Sequence, residues 1–240
     1  MKVIVPTCDR YLWALRPFAY LFNVFWSEMQ EVVVGGFSFP DFDLPPNFTF
    51  VSLDDHDYPP EKWSDGVIRL LRAVDDDIVT FMLEDYWLCR GVNHQAINSL
   101  TDYMRQRPDV LRIDLTADRL GSTRSTDLDY WGYVDLIETP WDAPYQWSTQ
   151  ACLVNRQHFL RCLKPGMAPW EFELRGNELI PPGLRVLGTR QYPVRYVNAV
   201  GMGLESGYRT EHVRDGMLGR TIERIPDEHV AAMKAGGLLP

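Results

Sequence analysis

Four short apolar runs, separated by segments of helical period, constrain this 240-residue chain most. The runs fall at residues 2–5 (KVIV), 31–34 (EVVV), 48–53 (FTFVSL) and 78–83 (IVTFML). Pro6, Gly35-Gly36, an acidic Asp54–Asp57 stretch and Glu84-Asp85 close them in turn. A short apolar run bounded by turn signals is how a strand buried on both faces reads. Between the runs, residues 11–29 and 63–73 place Leu12, Leu15, Phe18, Leu21, Phe22, Phe25 and then Val67, Leu70, Leu71 at helical spacing. Pro17 marks an N-terminal turn or a kink, and Ser64 or Asp65 is the N-cap candidate of the second helix. The order β-α-β-β-α-β over the first 90 residues predicts an α/β fold: a Rossmann-like, mostly parallel central sheet flanked by helices.

Further along, the pattern predicts a helix over 93–107, a strand over 110–115 carrying Asp114, and a strand or two around 130–138. A strand at 150–155 then runs into a helix at 156–163. A late strand at 191–200, a Gly-rich loop over 201–219 and a short helix over 227–235 complete the reading. Length and a 45% hydrophobic content fit one or at most two domains with a sizeable core. The net charge of −9 opposes phosphate backbones and anionic membrane surfaces unless arginines at 105–124 and 185–224 form a local basic patch. The four cysteines form no CxxC pair and no zinc-ligand spacing, so reduced thiols in a cytoplasmic protein are expected. No run reaches the ~20 apolar residues of a membrane span.

In open α/β sheets ligands sit beyond the carboxyl ends of the strands. Glu84 and Asp85 end the fourth run there. Adjacent carboxylates can hold Mg²⁺ or Mn²⁺ together with substrate phosphates, or can form a solvated turn. Asp75, Asp76 and Asp77 precede the run and read as a turn at the opposite end. After the first run, Thr7 and Asp9 can bond a base or ribose and Arg10 a phosphate, while Asp9 can equally cap the next helix. Neither GxGxxG nor GxxxxGK[ST] is present. In PWEFE, Glu171 and Glu173 alternate with Trp170 and Phe172. This places a general base in a partly desolvated setting, or else an amphipathic turn with its glutamates in water. Asp54, Asp55 and Asp57, and Arg209, His212, Arg214 and Arg220, are weaker phosphate or metal candidates. Ser148, Thr149 and Gln150 are candidate acceptor contacts, and Trp131, Trp141, Trp147 and Trp170 candidate stacking platforms.

The opening KVIVPTCDRY, the aromatic ALRPFAYLFNVFW before EVVVGGF, then WSDGVIRLL, FMLEDYWL, STQACLVNRQHFLRCL and PWEFE occur in an order and spacing that resembles small GT-A-type glycosyltransferases. These are the enzymes of bacterial surface-polysaccharide clusters and phages. The resemblance spans most of residues 1–175 and implies a nucleotide-diphosphate-sugar donor and a divalent metal, Mn²⁺ or Mg²⁺. It implies a GT-A-like domain over 1–225, with a nucleotide-sugar half (1–115) and an acceptor half (116–225), and a C-terminal helix and tail over 226–240. Asp85 matches the metal motif with Glu84 beside it, although the chain reads Glu-Asp-Tyr where the family has Asp-x-Asp. Thr7, Asp9 and Arg10 match the nucleotide loop, with Asp55 and Asp65 on the same side. Glu171 or Glu173 matches the base of inverting members. The implied acceptor is a glycan or another hydroxyl; a modified DNA base is disfavoured by the charge. Competing readings are a nucleotidyltransferase of related fold and a non-catalytic carbohydrate- or nucleotide-binding module.

Overall fold

The first three runs become Val3–Pro6 (β1), Val32–Gly36 (β2) and Phe48–Ser52 (β3), with helix Leu15–Phe25 (α1) between the first two. Helix Trp63–Ala73 (α2) then leads to Ile78–Phe81 (β4) and Tyr86–Leu88 (β5). Next come His94–Gln106 (α3), Val110–Asp114 (β6) and the hairpin Thr126–Trp131 (β7) with Val134–Glu138 (β8). Cys152–Asn155 (β9), Arg156–Cys162 (α4), Pro169–Arg175 (α5) and Arg185–Thr189 (β10) follow. Tyr196–Asn198 (β11), Arg209–Val213 (β12), Arg220–Arg224 (β13) and Asp227–Ala235 (α6) end the chain. This computed structural model describes residues 1–120, 124–200, 209–213 and 220–239, with 209–213 and 220–222 described by backbone alone.

The main sheet has nine strands in the order β3-β2-β1-β4-β9-β6-β10-β8-β7. The first four are mutually parallel. β9 runs against β4 and β6, β10 is parallel to β6, and β8 runs against both β10 and β7. The chain builds outward from β1 to β3 and then returns to β4 on the other side of β1. That reversal makes the carboxyl ends of β1 and β4 a topological switch point.

Alternation along β1 explains the layers. Val3 and Val5 pack with Leu15, Phe18 and Phe22 of α1 and with Ile97 and Leu100 of α3. Ile4 faces the opposite core, with Val67, Leu70 and Leu71 of α2 and Phe159 and Phe172 of α4 and α5. Pro17 lies in the first turn of α1, where its missing N–H has no partner to lose. Ser64 and Asp65 do not cap α2: they bind the 164–167 loop through Ser64 Oγ to Lys164 O (2.7 Å) and Gly166 N to Asp65 Oδ2 (2.7 Å). Lys2 neutralises the acidic turn, with Nζ 2.8 Å from both Asp75 and Asp76.

Several elements correct the sequence reading: Tyr86–Leu88 is a strand, and β12, inside the stretch read as a Gly-rich loop, pairs with β13. RVLGT was not anticipated, yet it is the main-sheet strand β10. The expected late strand at 191–200 shrinks to β11, which pairs with β5 outside the main sheet. All four cysteines are free thiols. No described helix is long and apolar enough to cross a membrane. A Cβ on Gly36 would lie 2.7 Å from Phe50 Cζ and 2.9 Å from Thr7 Cγ2. Gly36→Ala is therefore expected to cost about 1–3 kcal/mol by overpacking, read as a lowered midpoint in urea unfolding, and to displace Thr7.

Candidate active site

β1 ends at Pro6, which delivers Thr7 to the switch point, and β4 ends at Phe81, three residues before Glu84. Thr7 is buried, with its N–H on Gly35 O (2.8 Å) and its hydroxyl 3.4 Å from Cys8 O. Glu84 is itself buried. Burial first, and the Asp85 charge second, push its carboxyl up to about 8. Burial also pushes Asp85 up to about 6. Asp85 Oδ1 is buried without a hydrogen-bond partner, while its carbonyl accepts from Ala199 N (2.8 Å) just beyond β11.

An unpartnered buried carboxylate oxygen costs free energy unless something binds it. Two coupled carboxylates at a switch point fit a hard divalent cation that takes its remaining ligands from substrate and water. Among the described residues no cluster of three or more His, Cys, Asp or Glu converges.

The other residues expected at the nucleotide separate. Both carboxylate oxygens of Asp9 are taken by Ser38, from N at 3.0 Å and Oγ at 2.6 Å, so Asp9 anchors the loop after β2 and does not cap the following helix. Arg10 is exposed, with its guanidinium 5.3 Å from the Tyr11 ring centroid. Asp55 is exposed in the loop after the edge strand β3, and Asp65 is committed to Gly166. Asp54 is held by Arg69 (3.0 Å) and the Tyr58 hydroxyl (2.5 Å).

Further along the chain, α5 sends its two glutamates different ways. Glu171 pairs with Arg175 at 2.9 Å on the surface. Glu173 Oε1 accepts from Thr149 N at 2.6 Å and Thr149 Oγ1 at 2.8 Å. The Tyr86 hydroxyl, one residue from Asp85, lies 3.3 Å from the same Thr149 Oγ1. Tyr86 stacks on Tyr196, with centroids 4.2 Å apart, and the Tyr196 hydroxyl donates to Gln150 Oε1. Burial and the Asp85 charge push the Tyr86 hydroxyl far up, so it stays a donor.

Beneath this loop lies an ion network that the sequence reading missed. The Asp114 carboxylate is bound by both Arg112 and Arg119, all three fully or almost fully buried. Arg119 also binds Asp118, which accepts from Ser148 Oγ at 3.1 Å. Arg112 Nη1 donates to Ser148 O at 2.5 Å.

These arginines are interior, and Arg105, Arg124, Arg185 and Arg190 each pair with an acid, so no basic patch forms from them. Trp147 is not a ligand platform: it is buried and stacks on Phe159 at 4.6 Å. Trp131 leans on Tyr103, and Trp141 rims a groove with Gln146, Asn177 and Leu184. Trp170 is 58% exposed. The side chains of Arg209, His212, Arg214 and Arg220 lie outside the described residues, as does most of the Gly-rich 201–219 stretch.

No family model and no curated protein matches the sequence. Among solved structures, the galactosyltransferase LgtC in complex with donor and acceptor sugar analogs is similar at 14% identity and a TM-score of 0.38, over 67% of this chain and 60% of that one. The chain thus spans about three fifths of LgtC. CMP:2-keto-3-deoxy-manno-octonic acid synthetase complexed with CTP gives 11% identity and a TM-score of 0.46, over 86% and 96%. UDP-glucose pyrophosphorylase complexed with UDP-glucose gives 11% and 0.43, over 86% and 95%. At such values the likeness concerns the general course of the α/β sheet and carries no activity to this chain.

Proposed function

We propose that the chain is a metal-dependent glycosyltransferase that moves a sugar from a nucleotide-diphosphate sugar to an acceptor hydroxyl. The observation that carries this reading is Asp85: a half-buried residue whose carboxylate oxygen Oδ1 is buried and unpartnered, just past the carboxyl end of β4, where the strand order reverses. Asp85 and Glu84 would hold Mn²⁺ or Mg²⁺, which when bound neutralises charge on the departing nucleotide diphosphate. Thr7 shapes the floor of the nucleotide loop, and exposed Arg10 is free to meet a phosphate. Glu173 faces the site through Thr149, whereas Glu171 is tied to Arg175, so Glu173 is the base of choice. In the inverting form of the reaction, the acceptor oxygen bonds the anomeric carbon as the carbon–diphosphate oxygen bond breaks. The hydroxyl proton passes to Glu173 and the nucleoside diphosphate leaves. The net charge of −9 favours a neutral glycan hydroxyl over DNA as acceptor.

The test is nucleotide release from UDP- and GDP-sugars, with and without Mn²⁺ and a panel of neutral glycans. Cation-dependent release of nucleoside diphosphate is expected. Release of nucleoside triphosphate, dependent on added pyrophosphate, would instead make the chain a nucleotidyltransferase. That alternative has little support in PTCDR, which carries a single basic residue and no glycine.

A further inference from the structure

Residues 148–150 enter β9 at the carboxyl end of the parallel strands, opposite Asp114 and Phe81. They are held from three sides. Arg112 and Asp118 clamp Ser148, and the Tyr196 hydroxyl binds Gln150. Thr149, between them, spends both of its donors on one oxygen, Glu173 Oε1. A hydroxyl has a single proton. Since the Thr149 proton points to Glu173, the 3.3 Å contact with Tyr86 runs with Tyr86 as donor. The bonds therefore have one direction, from Tyr86 to Thr149 to Glu173. The chain starts on the residue that follows Asp85 and ends on the acceptor-side carboxylate. Oε2 is the oxygen left to face an acceptor hydroxyl.

We infer that Thr149 is a positioning residue for the transfer step: its two donors hold Glu173 in one orientation, and Tyr86 ties that orientation to the strand beginning beside Asp85. This rests on the glycosyltransferase reading above. A satisfied, buried network rigidifies the groups it joins. Thr149 and Tyr86 are both buried, and the arginine beneath Ser148 is fully so. A carboxylate on a free rotor would sample several positions, and a misplacement of about 1 Å costs on the order of 10²-fold in rate.

The experiment uses the UDP- or GDP-sugar that turns over fastest with Mn²⁺. Thr149→Val keeps the shape and the backbone donor but removes the hydroxyl; Thr149→Ser restores the hydroxyl. Thr149→Val is expected to lower kcat about 10–100-fold, with KM for the nucleotide sugar changed by less than about twofold. Thr149→Ser is expected to stay within about threefold of the parent, since it keeps both donors. Tyr86→Phe is expected to lower kcat several-fold alone and to add nothing in the Thr149→Val background, because the two act through one chain. A parent-like kcat in Thr149→Val, or an equal loss in Thr149→Ser, overturns the inference. So does a crystal structure of Thr149→Val in which Glu173 keeps its place, whatever the turnover. An active Glu173→Gln overturns the base assignment of the function itself. An inactive Glu173→Gln beside an unaffected Thr149→Val overturns only the positioning role.

Discussion

Asp85→Asn is expected to remove turnover while making the metal-free protein more stable at mildly alkaline pH. Loss of a ligand worth several kcal/mol of charge stabilisation corresponds to a fall in kcat on the order of 10²–10³-fold. The stability change has the opposite sign. Burial, reinforced for Glu84 by its neighbour's charge, raises both carboxyls above their ordinary values, to about 8 for Glu84 and about 6 for Asp85. The folded chain therefore holds protons that the unfolded chain releases. The contribution of these two groups to stability is greatest below about pH 4, where both states are protonated, and declines as the pH climbs to about 8. Asparagine removes one of the two charges and relieves the other, so the decline becomes shallower. The gain at the alkaline end is about 1–3 kcal/mol, the cost of a buried acceptor without a partner. Melting curves in EDTA from about pH 4 to about pH 9 read the slope, and Mn²⁺ should flatten it for the parent by binding the folded state. A variant that keeps turnover, or that melts early at every pH, would remove Asp85 from the site.

The parts of this fold that were legible in advance are those where one strand carries its own signal. β1, β2 and β4 are buried on both faces and the edge strand β3 is partly exposed, yet each reads as an apolar run, and Glu84 and Asp85 stand out against the end of one. β10 carries no such signal: Arg185 opens it, Gly188 and Thr189 close it, and only its pairing with β6 and β8 makes it a strand. Arg112 and Arg119 read as surface charge because an isolated sequence cannot show that Asp114 receives both. Glu171 and Glu173 have the same neighbours in the sequence. Two residues apart on a helix they point roughly 200° from one another, so only the packing of Phe172 on Trp147 and Trp63 decides which of them meets Thr149. The role of Thr149 depends on a tyrosine 63 positions away, a relation no local pattern contains.

Asp114→Ala is expected to be the most damaging single substitution for stability. It leaves two guanidinium groups in the interior without the carboxylate that both bind. Breaking a buried pair by removing one partner costs about 3–5 kcal/mol, which for a chain of this length lowers the melting temperature by roughly 6–20 °C. Replacing the whole network by apolar residues of similar volume is a different matter, since the desolvation cost of the charges disappears with them. Arg112→Met combined with Asp114→Leu and Arg119→Met is therefore expected to recover most of the stability lost in the single variant, as measured by urea unfolding. It should not recover turnover, because Arg112 no longer reaches Ser148 O and Arg119 no longer reaches Tyr145 O and Asp118. Stability without activity in that variant would mean the network exists to place the 148–150 loop. If both return together, the loop holds its position by packing alone, and the arginines beneath it are dispensable.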